Sequence, residues 1–199
     1  HWNVASIVMS RPGFKSQLAT LFDRNLAILG GSMGSLLVFL LQPPIIGYLI
    51  GLAWNEAEAD KRTYFMMTLS AIYLGCMNAC PLIVRERSIY NRERMTGLNL
   101  WSYLLSKLQM LSLISLIQCL LLLVVANRWV QFYEGILRHG FVLIVLTLTS
   151  IAASGLGLAI SAFARTTYMA VIIVPLLILP QILFSEVVLG GRFDNDLLS

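Results

Sequence analysis

The sequence predicts an all-α polytopic membrane protein, and three observations carry that expectation. Charged residues make up 12% of the chain and apolar residues 58%, about half the charge content usual in a soluble domain. Five runs carry no charge at all: Leu26–Asn55, Thr63–Val84, Leu108–Asn127, Gly140–Ala164 and Thr166–Ser185. Each supplies the roughly 20 helical residues that cross about 30 Å of hydrocarbon. The runs are continuous and rich in Leu and Ile, without the in/out alternation of a membrane barrel strand, so helices satisfy the backbone in lipid.

Taken in order, the chain starts at His1 rather than Met, which reads as the interior of a longer protein. The first thirty residues hold Arg11, Lys15 and Arg24 and no small-residue cleavage pattern, so they are not a signal peptide. Residues 1–29 form a lead-in, and residues 30–199 a membrane domain with spans at about 32–54, 63–84, 104–126, 141–164 and 168–185. Residues 186–199 then lie on the far side. In the first span, Pro43 and Pro44 remove helix hydrogen bonds and free carbonyls one turn earlier for a side chain, a water or a ligand. A structural kink is the favoured reading over a translocation contact. Gly47 and Gly51 form a GxxxG pattern that lets another helix approach, with packing inside the chain favoured over packing between chains.

Asn78 in the second span and Gln181 in the fifth are uncharged polar groups suited to interhelical hydrogen bonds or to substrate contact. Cys76 and Cys80 share a helix face, but no His or carboxylate accompanies them in that span. Together with Cys119 they read as packing cysteines, and no metal site is expected.

Between the second and third spans, VRERSIYNRER places four arginines and two glutamates in eleven residues. Leu98, Trp101, Leu105 and Leu108 follow at helical spacing. The segment reads as an interfacial helix, a break at Gly97, then entry into the third span. A positive-inside loop on anionic headgroups is the simpler account. The interleaving of Glu86 and Glu93 with arginines suits a protein partner better than a uniformly negative surface.

Charge asymmetry orients the chain. With the N-terminus in the cytoplasm, the inner parts hold nine basic and three acidic residues and the outer parts five basic and seven acidic, a balance of +6 against −2 that accounts for the net +4.

None of the five runs contains an Asp, Glu, Lys, Arg or His, so no proton or ion relay of the kind that drives coupled transporters is present in them. GGSMGS at residues 30–35 lacks the Lys-Ser/Thr ending of a phosphate loop. No catalytic constellation is expected, since the two histidines, His1 and His139, fall on opposite sides. Energy for uphill movement therefore has to arrive from another domain. The alternative is a non-transporting anchor or sensor that docks a cytoplasmic partner through the arginine-rich segment.

The run ACPLIVRERSIYNRERMTGLNLWSYLLSK resembles the segment joining the second and third spans of G-subfamily ABC exporters and their bacterial relatives of the ABC-2 type. Glu86, Arg87, Ile89, Tyr90, Arg92, Glu93, Gly97, Tyr103 and Lys107 fill the family's pattern. Ser150–Ala170 is similar to the family's fourth span and following turn, and ILPQILFSEV to its fifth. RPGFKSQLATLFDRN resembles its amphipathic connecting helix, with Phe14, Leu18, Leu21 and Phe22 on one face. The sequence departs from the pattern at Glu186, where a small residue is usual, and in lacking a sixth span.

The resemblance implies a permease domain that works as a homo- or heterodimer by alternating access. ATP and Mg bind an associated ATP-binding domain, fused upstream or a separate subunit, coupled to the permease through a helix at residues 84–96. It assigns Glu86, Arg87, Tyr90, Arg92 and Glu93 to coupling. It assigns Ser70, Leu74, Asn78, Ile178, Leu179 and Ile182 to a pathway for an apolar or amphipathic substrate. The implied location is a bacterial inner membrane, with lipid as a further partner and no nucleic acid.

Overall fold

A computed structural model describes residues 13–31, 33–53, 60–95, 98–130 and 136–184, and the described residues are almost wholly helical. Seven helices follow in order: α1 Phe14–Gly31, α2 Met33–Ala53, α3 Lys61–Ala79, α4 Leu82–Met95, α5 Leu100–Ala126, α6 Ile136–Phe163 and α7 Thr167–Leu183. Stretches long and apolar enough to cross a membrane lie at Leu36–Ala53, Lys61–Met95 (α3 continued past a turn into α4), Leu100–Ala126 and Leu137–Phe163. The protein is an integral membrane protein.

The fifth predicted span forms α7, an apolar helix of 17 residues. At 1.5 Å per residue it measures about 25 Å, short of the roughly 30 Å of a full crossing. Phe184 after it is a turn residue, and Ser185 lies outside the described residues. The second predicted span ends early. Cys80 and Pro81 form a turn, because proline cannot donate the N–H that would continue α3. Residues 82–84 therefore belong to α4. Helices α5 and α6 start before the spans expected at 104–126 and 141–164, so Arg138 joins Lys107 in lying within a helix.

Large apolar side chains such as Leu37, Leu41, Leu49, Leu148, Leu156 and Leu176 are exposed on the outside, while the interior combines apolar residues such as Met67, Leu74, Leu111 and Leu122 with many small and polar ones. Ser102, Ser106, Ser115, Ser150, Ser154 and Ser161 are all fully buried. Lipid provides no hydrophobic drive between helices, so association rests on close backbone approach and interhelical hydrogen bonds.

Helix α3 lies at the centre and packs most closely on α6. A Cβ on Gly75 would collide with the Ser150 carbonyl oxygen, and one on Gly157 would stand 2.8 Å from the Ala79 Cβ. Across this seam the Ser154 hydroxyl donates to the Gly75 carbonyl at 3.2 Å, and the Cys76 thiol to the Ala153 carbonyl at 3.2 Å. A second close approach joins α2 to α5: Gly47 faces the Leu122 carbonyl and Gly51 the Trp129 ring. The GxxxG pattern is thus occupied within the chain.

The carbonyl that Pro43 leaves without a backbone partner is satisfied by a neighbouring helix. Pro43 cannot donate to the Phe39 carbonyl, and the Gln118 side-chain amide of α5 donates to it instead at 2.9 Å. Gln118 Oε1 in turn accepts from the Asn78 amide of α3 at 2.6 Å. One buried chain of hydrogen bonds therefore links α2, α5 and α3.

Candidate functional site

Helix α4 is short, polar and held at one end of the bundle. Its first free N–H groups need acceptors, and the Ser161 hydroxyl of α6 takes those of Ile83 and Val84 at 3.0 and 3.1 Å. Arg87 reciprocates: its guanidinium donates to the Ala162 and Ala164 carbonyls at 2.9 and 2.8 Å. These are carbonyls at the C-terminal end of α6, where a cation also meets the negative end of the helix dipole.

The opposite flank of α4 meets α5 and α1. Lys107 Nζ lies 2.6 Å from Glu86 Oε1 and donates to Asn25 Oδ1 at 2.9 Å. The Tyr103 hydroxyl donates to Glu86 Oε2 at 3.3 Å. The Asn25 amide donates to the Ser106 hydroxyl at 3.4 Å, completing a cluster from three helices. The Lys107 side chain is 2% exposed and that of Glu86 18%. A buried charge of this kind is tolerated only when paired and hydrogen-bonded. Outside it, Arg24 of α1 pairs with Glu93 of α4, the Tyr90 and Tyr103 rings pack with centroids 4.9 Å apart, and the Asn99 N–H donates to Gln17 Oε1 at 3.3 Å.

Four of the five residues assigned to coupling, Glu86, Arg87, Tyr90 and Glu93, thus face neighbouring helices of the same chain. Arg92 is exposed. With Arg85, Ser88, Ile89 and Met95, all exposed, it forms the outer stripe of α4, at the i, i+3, i+4, i+7 spacing of one helix face. Gly97 lies outside the described residues.

Of the residues assigned to a pathway, Leu74 is fully buried and Asn78 is bonded to Gln118. Ser70 is half-buried, and its hydroxyl returns to the Met66 carbonyl at 2.7 Å. Ile178 is buried and Ile182 half-buried against α3, while Leu179 is 52% exposed. Gln181 is exposed. A groove of about 480 Å³ lies elsewhere, lined by Phe22, Gln109, Ser112, Leu113, Leu116, Thr147 and Ile151.

Sequence reasoning assigned no role to Asn25, Arg24, Ser161 or Gln118, and noted Lys107 only as part of a motif. A usable signal existed for Lys107: a lone cation at the edge of one span and a lone carboxylate, Glu86, at the edge of its neighbour. Ser161 carries no such signal, since serines occur throughout these helices.

Helices long and apolar enough to cross a membrane, with a polar helix latched across one end, define a polytopic membrane domain. Residues 16–189 match the ABC-2 type transporter family, and the chain belongs to it. An ABC transporter ATP-binding/permease protein of Mycobacterium tuberculosis is 22% identical over 202 residues, covering 92% of this chain and 23% of that protein. The chain therefore spans about a quarter of the length of that relative.

Proposed function

We propose that this chain is the membrane half of an ATP-driven exporter, joined through α4 to an ATP-binding domain that carries ATP and Mg. Two copies, identical or not, enclose a path that opens alternately to either side. The observation that carries the reading is the two-sided character of α4. Its inner face is tied to α1, α5 and α6, and its outer face, Arg85, Ser88, Ile89, Arg92 and Met95, stays exposed at the end of the bundle. A rod held on one side and open on the other is suited to passing a push from a docked domain into three helices together.

The positive-inside bias puts α4 and the N-terminus in the cytoplasm, on the inner membrane of a bacterium. The relative from M. tuberculosis is named as an ATP-binding/permease protein, which favours a fused ATP-binding domain here. The path runs along the α3–α7 side. Ser70, Leu179 and Ile182 are accessible there, and Leu74, Asn78 and Ile178 support them from behind. Walls of this composition favour an apolar or amphipathic substrate.

The test is ATP hydrolysis by the full-length protein in lipid nanodiscs, with Arg85→Glu and Arg92→Glu combined. Substrate- or lipid-stimulated turnover is expected to fall to the basal rate, with thermal unfolding unchanged because both side chains are exposed. Unchanged stimulation would remove α4 as the docking element and return the segment to an anchor on lipid headgroups.

A further inference from the structure

The chain passes from α3 to α4 through a joint that two different hydrogen-bond patterns can close. Up to Cys80 the helix ladder is intact, with the Cys80 N–H donating to the Cys76 carbonyl at 2.9 Å. Pro81 then has no N–H to give the Met77 carbonyl, and its ring crowds that carbonyl. The ladder resumes at Arg85, whose N–H donates to the Pro81 carbonyl at 3.1 Å. Between these points, the N–H groups of Ile83 and Val84 would meet the Ala79 and Cys80 carbonyls in an unbroken helix. Here both go instead to the Ser161 hydroxyl, at 3.0 and 3.1 Å.

The seam above the joint places Ser161 for this. Helix α6 follows α3 in register, Cys76 against Ala153 and Ala79 against Gly157. One turn beyond Gly157, the fully buried Ser161 comes level with the joint. The next turn of α4 brings Arg87 to the Ala162 and Ala164 carbonyls. Helix α4 is thus hung on α6 by one hydroxyl at its start and one guanidinium a turn later. Neither tie belongs to the ladder of α4 itself, so both can be given up without unwinding that helix. The two N–H groups released from Ser161 have acceptors in their own chain one turn back.

We propose that the Cys80–Pro81 joint is a two-position hinge and that Ser161 is its catch. In the position seen here, α4 hangs on α6. In the other, the Ile83 and Val84 N–H groups return to the Ala79 and Cys80 carbonyls, Arg87 leaves the end of α6, and α4 continues α3 across the proline. Both positions pair the same two donors, which makes the element bistable instead of frayed. The hinge deepens the reading of α4 as the docking element and rests on that reading for its use: a push on the outer face has two hydrogen-bonded places to send α4. Helix α4 is 14 residues long, about 21 Å at 1.5 Å per residue. A change of about 20° at a proline joint therefore moves its far end by about 7 Å.

Pulsed spin-label distance measurement on the full-length protein in lipid nanodiscs tests the hinge. The labels sit on a ketone-bearing amino acid at Met95, the exposed end of α4, and at Leu148, exposed on α6. Co-expression with excess unlabelled copies restricts the reading to one chain. Ser161→Ala removes the catch, and Pro81→Ala restores the N–H that the unbroken helix lacks. Each is expected to move the distance by about 7 Å from that of the unaltered protein, and both to the same new value. In Ser161→Ala the Ile83 and Val84 amides should stay protected from hydrogen exchange, since they regain carbonyl partners. Unshifted distances would overturn the proposal, as would different new values in the two variants. So would a broadened distance with rapid exchange at Ile83 and Val84, which would mark Ser161 as a plain helix cap. The docking role of α4 is judged separately by ATP hydrolysis: a shared shift with unchanged substrate stimulation would uphold the hinge and count against that role.

Discussion

Lys107 is the residue on which the polar end of the bundle depends. It is 1% exposed and compensates Glu86 while also satisfying Asn25. Removing one partner of a buried pair leaves the other charge uncompensated, whereas removing both relieves that cost. Lys107→Met alone is therefore expected to destabilise the protein by about 3 to 5 kcal/mol. Adding Glu86→Gln should recover most of the loss. Thermal unfolding of the single and double variants in nanodiscs measures this, and additive losses would show that the two side chains do not act as a pair.

The arrangement of α2, α3 and α5 depends on a hydrogen bond that a helix normally makes for itself. Pro43 leaves the Phe39 carbonyl without its own N–H, and Gln118 supplies one from the next helix while holding Asn78. Gln118→Leu is expected to cost about 1 to 3 kcal/mol, the usual penalty for buried polar groups left unpaired. Pro43→Ala restores a backbone N–H to the Phe39 carbonyl, so the double variant should lose less than the sum of the singles. A thermal-unfolding double-mutant cycle reads the coupling directly. A cycle with no coupling would mean that water or another group satisfies Phe39.

At the scale of the molecule, α4 is bound to three helices by different chemistry: Arg24–Glu93 to α1, Glu86–Lys107 to α5, and Arg87 with Ser161 to α6. Displacement of α4 as a unit would reach all three. Arg24→Gln with Arg87→Gln loosens two of these ties and leaves the buried Glu86–Lys107 pair and the outer face intact. Membrane insertion and basal ATP hydrolysis by the full-length protein are expected to persist, with substrate stimulation lost. Persistence of stimulation would show that the inner face of α4 does not carry the signal.

Composition and run length alone determined that this is an all-helical membrane protein, because a bilayer imposes a minimum length and excludes unpaired backbone and most charge. The charged segment between the second and third spans was equally legible, since its pattern is local. So was the missing backbone bond at Pro43, where the chemistry of one residue dictates it. The partners that complete those features were not legible. Gln118 is one amide in an apolar run, and only the docking of α5 on α2 brings it to Phe39. Likewise, the sequence shows six charges on α4, but helix rotation decides that Glu86, Arg87 and Glu93 turn inward and Arg85 and Arg92 outward. Periodicity could not assign those faces, because an interfacial helix is polar all round and its orientation is set by Lys107, Arg24 and the end of α6. The parallel seam of α3 and α6, where Gly75 meets Ser150 and Gly157 meets Ala79, likewise belongs to tertiary structure. Small residues permit close approach at many places, and only packing in three dimensions selects which helix fills each one.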